Sequence, residues 1–219
     1  MVRLRLFVLC WTLVFATVLA EKPRDLSWVD AYALAAPPEA EKSVKSLAKY
    51  LAGRTAEERG IKYSGTARDL QRIRRWDEER ARAIYRWMTA NIAYAGREAE
   101  WRAARATRNG RATLVHDNKK LLDPEKILQT RKTICLGYAT LYRALAVESG
   151  LRCDLVTGNL TGDPDARHAW NEVRVGEARL GIDATWGTAE YEEWYLVPLS
   201  RFRKTHTPDW TPPGRYHKL

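Results

Sequence analysis

Apolar residues recur at helical spacing in several stretches of the chain. In residues 39–53, Val44, Leu47, Ala48 and Leu51 fall on one side of a helix. A second helix is expected over residues 66–75, through Leu70 and Ile73. A third follows at once. Asp77 reads as its cap, Glu78 and Glu79 complement the dipole of its first turn, and Ala81, Ile84, Tyr85, Met88 and Ile92 form its apolar stripe. Asp123-Pro124-Glu125 opens a short helix over residues 124–130, because proline suits the first helical position behind an aspartate cap. In residues 131–151, Leu136, Ala139 and Tyr142 mark a buried side that Leu141, Leu145 and Ala146 fill out. Gly150 supplies a natural stop. Cys135 therefore sits in the first turn of a buried helix of about fifteen residues.

After Gly150 the period changes from helix to strand. Residues 152–157 are strand-like, and residues 158–165, with Gly162 and Pro164, read as loop. Residues 168–175 alternate, with Val173 and Val175 on one side and His168, Trp170 and Glu172 on the other. Gly176-Glu177 fits a two-residue type II′ turn, which wants glycine first, and residues 179–185 are the return strand. That turn sets the register: Val175 faces Ala178, Trp170 faces Asp183 and His168 faces Thr185. His168, Trp170, Asp183 and Thr185 then share one face. His168 and Asp183 become diagonal neighbours at ~7–8 Å, within reach of a side-chain hydrogen bond.

Two segments lack such patterns. Residues 21–38 read as an extended leader, and residues 97–111 are a polar insertion carrying five arginines. The first twenty residues differ again. Arg3 and Arg5 precede an apolar run over residues 6–20 that ends in Val18-Leu19-Ala20. Basic start, short apolar stretch and small residues at the exit describe a secretory signal peptide. Fifteen residues fall short of the ~20 that span a bilayer, so the expectation is cleavage, export to the periplasm or outside the cell, and no transmembrane helix afterwards. The domain reading is 1–20 signal peptide, 21–65 leader and helical extension, and 66–219 catalytic domain.

Composition is ordinary for a globular protein, with 45% hydrophobic and 29% charged residues. The net charge of +10 makes an anionic envelope surface a candidate partner, but no nucleic-acid-binding motif is visible. His116, His168, His206 and His217 have no metal-ligand spacing with the cysteines, and no glycine-rich phosphate loop is present, so neither metal nor cofactor is expected. Cys10 would leave with the signal. A Cys135–Cys153 disulfide is disfavoured: a helix rising ~1.5 Å per residue leaves the two roughly 7 Å apart, the outer limit for a bridge, even if the chain doubles straight back.

The first turn of a helix favours a thiolate, because its unpaired N–H groups carry partial positive charge. A carboxylate on the Nδ1–H of His168 would fix the tautomer and leave Nε2 for that thiol. The tip of the Cys135 helix, placed on the shared face of His168 and Asp183, completes a Cys-His-Asp triad.

Cys135-Leu136-Gly137-Tyr138-Ala139, His168-Ala169-Trp170-Asn171 and Gly181-Ile182-Asp183-Ala184-Thr185-Trp186 together resemble the transglutaminase-like superfamily of papain-related cysteine enzymes. Tyr195-Leu196-Val197-Pro198, Phe202 and His206-Thr207-Pro208 resemble the tail of its kyphoscoliosis-type branch. The resemblance implies an α+β fold in which N-terminal helices and the nucleophile helix pack on an antiparallel sheet. It implies Cys135 as nucleophile, His168 as general base and acid, and Asp183 as the orienting residue. Two departures stand out: Thr133 replaces the family's glycine two positions before the cysteine, and Thr211-Pro212-Pro213-Gly214 replaces its aromatic ending.

The expected chemistry is acyl transfer on a peptide or protein amide, with the Cys135 backbone N–H as one oxyanion donor. Trp170, Tyr94 and Trp101 are the candidates for the substrate groove. Hydrolysis is the favoured outcome. Cross-linking by a lysine amine, or a non-catalytic peptide- or envelope-binding module, are the alternatives.

Overall fold

The computed structural model describes residues 24–53, 66–96, 122–161, 163–187 and 192–209. Helices α1 (Ser27–Leu34) and α2 (Val44–Leu51) precede the long α3 (Ala67–Asn91). Strand β1 (Ala93–Tyr94) pairs in parallel with β2 (Lys132–Thr133), and α4 (Pro124–Thr130) comes just before β2. Helix α5 (Cys135–Glu148) then leads into β3 (Cys153–Leu160), β4 (Asp163–Val175), β5 (Ala178–Ile182) and β6 (Val197–Pro198). A single turn, α6 (Leu199–Phe202), connects to β7 (His206–Pro208). The five longer-range strands form one antiparallel sheet in the order β6-β5-β4-β3-β7. This is the expected α+β architecture.

α5 is the central helix. Leu141, Tyr142, Leu145 and Ala146 are fully buried, and each large apolar side chain contributes roughly 1.5–3 kcal/mol by leaving water. The helix ends as its sequence requires: Gly150 takes φ 83°, and the N–H groups of Gly150 and Leu151 donate to Val147 and Ala146. Asn171 of β4 donates its amide to the carbonyl of Ala139, 3.0 Å away, and so locks sheet to helix one turn after Cys135. α3 holds the other end. Arg80 donates to the Ser149 carbonyl at the α5 C-terminus, pairs with Asp77, and Asp77 accepts the Gly176 N–H of the β4–β5 turn at 3.1 Å.

Three local readings need correction. The two helices expected over 66–96 are one, because nothing between Thr66 and Asn91 interrupts the backbone ladder: the stretch has no glycine or proline. Thr66 caps it, and Asp77 is spent on a tertiary clamp. The leader is not extended throughout, since it contains α1. Only Val29 and Ala33 of α1 are buried, too few to show a period, and Asp30 is fixed by a bidentate pair with Arg82 at 2.6 and 2.7 Å. The supposed loop at 158–165 is largely strand, with β3 running to Leu160 and β4 starting at Asp163.

The hairpin register is as expected, from Val175↔Ala178 to Asn171↔Ile182, around a turn in which Gly176 takes φ 58°. The return strand stops at Ile182, short of Thr185. There the Asp183 N–H turns away to Trp194, and the Thr185 N–H bonds back to Asp183 Oδ1 at 2.9 Å. The two faces of the sheet differ. Cys153, Val173, Val175 and Ile182 join the main core with α5, while Val156, Trp170, Val197 and Phe202 form a smaller cluster on the other side. Among the described residues no helix is long and apolar enough to cross a membrane. The signal segment, the insertion at 97–111 and Trp101 lie outside the described residues.

If α1 is part of the folded core, Val29→Ala, at a residue 2% exposed, costs roughly 1–3 kcal/mol in urea unfolding. An unchanged midpoint would return residues 24–36 to the status of a leader.

Candidate active site

Cys135 is the first residue of α5, behind an Ile134 cap that offers no side-chain hydrogen bond. The free N–H groups of that turn are thus not claimed by a capping side chain. The body of α5 packs on the Asn171–Val173 face, whereas His168 points to the opposite one. The helix therefore does not lie on the histidine's face as expected. Because β5 ends at Ile182, β4 has no β5 partner at His168. The Cys135 thiol lies close enough to the His168 ring to raise its pKa.

His168 Nε2 lies 2.6 Å from Asp183 Oδ2. The carboxylate thus holds Nε2 and leaves Nδ1 for the sulfur, the reverse of the tautomer expected from sequence. The reason is that Asp183 sits in the turn after β5 and meets the far side of the ring. His168 and Asp183 are 7% and 1% exposed. Burial alone would lower the imidazole pKa, but hydrogen bonds to Asp183 and Cys135, and their charges, raise it to about 10. Burial would likewise raise the Asp183 carboxyl, yet His168 and His206 hold it well below the usual carboxylate range. Cys153 makes the contrast: buried at the start of β3, its thiol is pushed up well above the ordinary value. Both cysteines are free.

The groove candidates fare differently. Trp170 is 1% exposed and packs beneath the imidazole, its centroid 6.5 Å from that ring, so it supports the site and does not face a substrate. Tyr94 is exposed and pairs in β1 with Thr133, two residues before Cys135. Two further aromatics had no periodicity to reveal them. Trp186 stacks on His168 at 5.0 Å, and Trp194 meets Trp186 edge-on at 5.1 Å; both are partly exposed.

His206 is also drawn in, 3.3 Å from Asp183 Oδ2 through Nε2. The nearest ligand atoms of His168, Asp183 and His206 lie within 4.8 Å of one another, a spacing that a metal ion could use. In this arrangement the carboxylate oxygen Oδ2 stands within hydrogen-bonding reach of both imidazoles.

The family model described as Transglutaminase-like superfamily matches residues 64–197, more than half of the chain. The kyphoscoliosis peptidases of Mus musculus and Homo sapiens are each 29% identical to it over 164 residues, covering 64% of this chain and 22% of theirs. The chain thus spans about a fifth of the length of those curated relatives. A solved structure of a TGase is 16% identical, with 63% of this chain and 40% of that one covered and a TM-score of 0.36. A proposed cysteine protease of Cytophaga hutchinsonii is also 16% identical, with 68% and 45% covered and the same TM-score of 0.36.

The His168–Asp183 pair makes stability depend on pH. A histidine whose folded pKa is raised contributes stability that is complete below its unfolded value of about 6.5 and is lost as the pH rises. Here the loss runs from there to about 10. Asp183→Asn is expected to cost on the order of 3 kcal/mol near pH 6, with the difference from wild type shrinking towards pH 10. Urea unfolding of both proteins across that range measures it; a pH-independent difference contradicts the pairing.

Proposed function

The chain belongs to the transglutaminase-like superfamily, and from that premise we propose that it is an exported cysteine-dependent acyl-transfer enzyme that hydrolyses peptide or protein amides. One observation carries the reading: a buried His168–Asp183 pair, 2.6 Å apart, whose imidazole pKa is raised by Asp183 and by the neighbouring Cys135 at the tip of α5. A thiol tied to an imidazole with a raised pKa has a base beside it, and the carboxylate keeps that base oriented.

The Cys135 thiolate, paired with the His168 imidazolium, attacks the carbonyl carbon of the amide. The developing oxyanion lies at the start of α5, where the Cys135 N–H donates to it. The imidazolium returns its proton to the leaving nitrogen as the C–N bond breaks. The products of this half are a thioester on Cys135 and a free amine. Water then attacks the thioester while Nδ1 takes its proton, the carboxylic acid leaves, and the thiol is restored. Asp183 stays ionised throughout, as its position between two imidazoles supports. Exposed Tyr94 and the partly exposed Trp186 are the side chains we place against the substrate. The peptidase name of the relatives supports hydrolysis over cross-linking. Export rests on the signal-like first twenty residues.

Cys135→Ala is expected to lower the release of free amines from a peptide mixture by at least about 10³-fold, while Cys153→Ala leaves it unchanged. Added primary amine is expected to remain unincorporated. Full turnover by the Cys135 variant would remove the nucleophile, and efficient amine incorporation would turn the reading to transamidation.

A further inference from the structure

His206 lies beyond the stretch matched by the family model, which ends at residue 197, and the mechanism above gives it no step of its own. It is nonetheless fully buried, 0% exposed, inside the site. Pairing explains how it gets there. Gly158 of β3 faces His168 on one side and Pro208 of β7 on the other, so these three residues share a face. His206 lies two residues from Pro208 and points the same way. Two glycines clear its path. A Cβ on Gly158 would come within 2.1 Å of the Thr207 carbonyl, and one on Gly181 within 2.5 Å of the Phe202 ring. That Phe202 ring stacks on His206 at 4.0 Å, while Trp170 and Trp194 meet it edge-on at 5.1 and 5.2 Å. An aromatic box thus fixes the plane of the imidazole and leaves its two nitrogens for polar partners.

Both nitrogens have one. Nδ1 lies 2.8 Å from Thr205 Oγ1, and Nε2 lies 3.3 Å from Asp183 Oδ2. The one hydrogen of the Thr205 hydroxyl has two acceptors in reach, the Phe202 carbonyl at 3.0 Å and Nδ1; with that hydrogen on Nδ1 the ring proton is on Nε2, aimed at the carboxylate. Asp183 then accepts from His168 and His206 at Oδ2 and from the Thr185 N–H at Oδ1. A carboxylate 1% exposed needs such donors, since burying it without them would favour the protonated form.

We infer that His206 is a positioning residue for the proposed acyl transfer: from β7 it donates Nε2–H to Asp183, keeping that carboxylate ionised and turned towards His168. The inference rests on the function proposed above. Losing the donor makes Asp183 easier to protonate, and a protonated Asp183 no longer supports the imidazolium. The consequence is therefore felt on the acid side. The titratable groups facing Asp183 are His168 on β4, His206 on β7, Tyr138 on α5 and Tyr85 on α3, with Cys135 joined through His168. Burial holds both tyrosines above their ordinary range, so they stay neutral in acid.

The test is the rate at which iodoacetamide labels Cys135 in the full chain between about pH 4 and 8, read by mass at that residue, so no substrate is needed. Wild type is expected to label well into acid. In His206→Phe, a ring suited to the aromatic box but without a donor, the acid limb is expected to move up by about one pH unit. Labelling at the acid end then falls, while labelling near pH 7 stays within about twofold. His206→Gln, whose side-chain amide can replace the Nε2–H, is expected to restore the wild-type limb. Thr205→Val, at an exposed position, is expected to shift the limb in the same direction by less, and it carries the test if the phenylalanine variant does not fold. A folded His206→Phe or Thr205→Val with the wild-type acid limb overturns the inference, as does a folded glutamine variant as impaired as the phenylalanine one. Wild-type Cys135 reacting only near an ordinary thiol pKa of about 8.5 overturns the proposed function, and this inference with it.

Discussion

A single buried carboxylate organises the site. Asp183 is almost without solvent, and an uncompensated charge there would cost several kcal/mol. The chain meets that cost with three donors from three segments: His168 on β4, His206 on β7 and the Thr185 amide in the turn after β5. Each donor constrains the fold. β5 has to stop at Ile182 so that Asp183 can turn inward, and β4 has to run on past it to present His168. β7 has to return beside β3, at a glycine, to deliver His206. Strand ends that look like irregularities are what the carboxylate requires.

The thiol reaches this arrangement through a second set of ties. Asn171 fixes the sheet to α5 one turn from Cys135, and the Asp77–Arg80 pair of α3 fixes both the far end of α5 and the hairpin turn. Helix and hairpin are thus held at two points each, which resists sliding of the sulfur relative to the imidazole. Asp30, Arg82 and Glu192 extend the same logic to α1 and to the segment preceding β6. Much of the apparatus that sets the site lies far from it.

The legible part of this was local. The apolar stripe of α5, its glycine stop, and the period-two alternation with a Gly-Glu turn place Cys135 on a helix tip and set the hairpin register as far as Ile182, as the structure has them; Asp183, just past that strand end, still comes within hydrogen-bonding reach of His168. What escaped was set by tertiary partners. Asp77 reads as a cap because its carboxylate has the right chemistry for one, yet it pairs with Arg80 one turn on in the same helix and accepts the N–H of Gly176, a partner only the folded arrangement brings close. Gly158 looked like a loop residue because nothing local shows that a neighbouring strand needs its missing Cβ. The tautomer of His168 came out reversed for the same reason: the direction from which Asp183 approaches depends on where β5 ends. His206 shows no ligand spacing with the cysteines because its partner is an aspartate that only the fold brings near.

The central claim is that Cys135 carries an acyl group during turnover. The most direct measurement is to mix the full chain with a peptide pool, quench in acid within the turnover time, and map the covalent adducts by mass. The account predicts an acyl mass on Cys135 that hydroxylamine removes and that is absent when the protein is first alkylated. Product formation with no adduct on Cys135, or with the adduct on another residue, would contradict it.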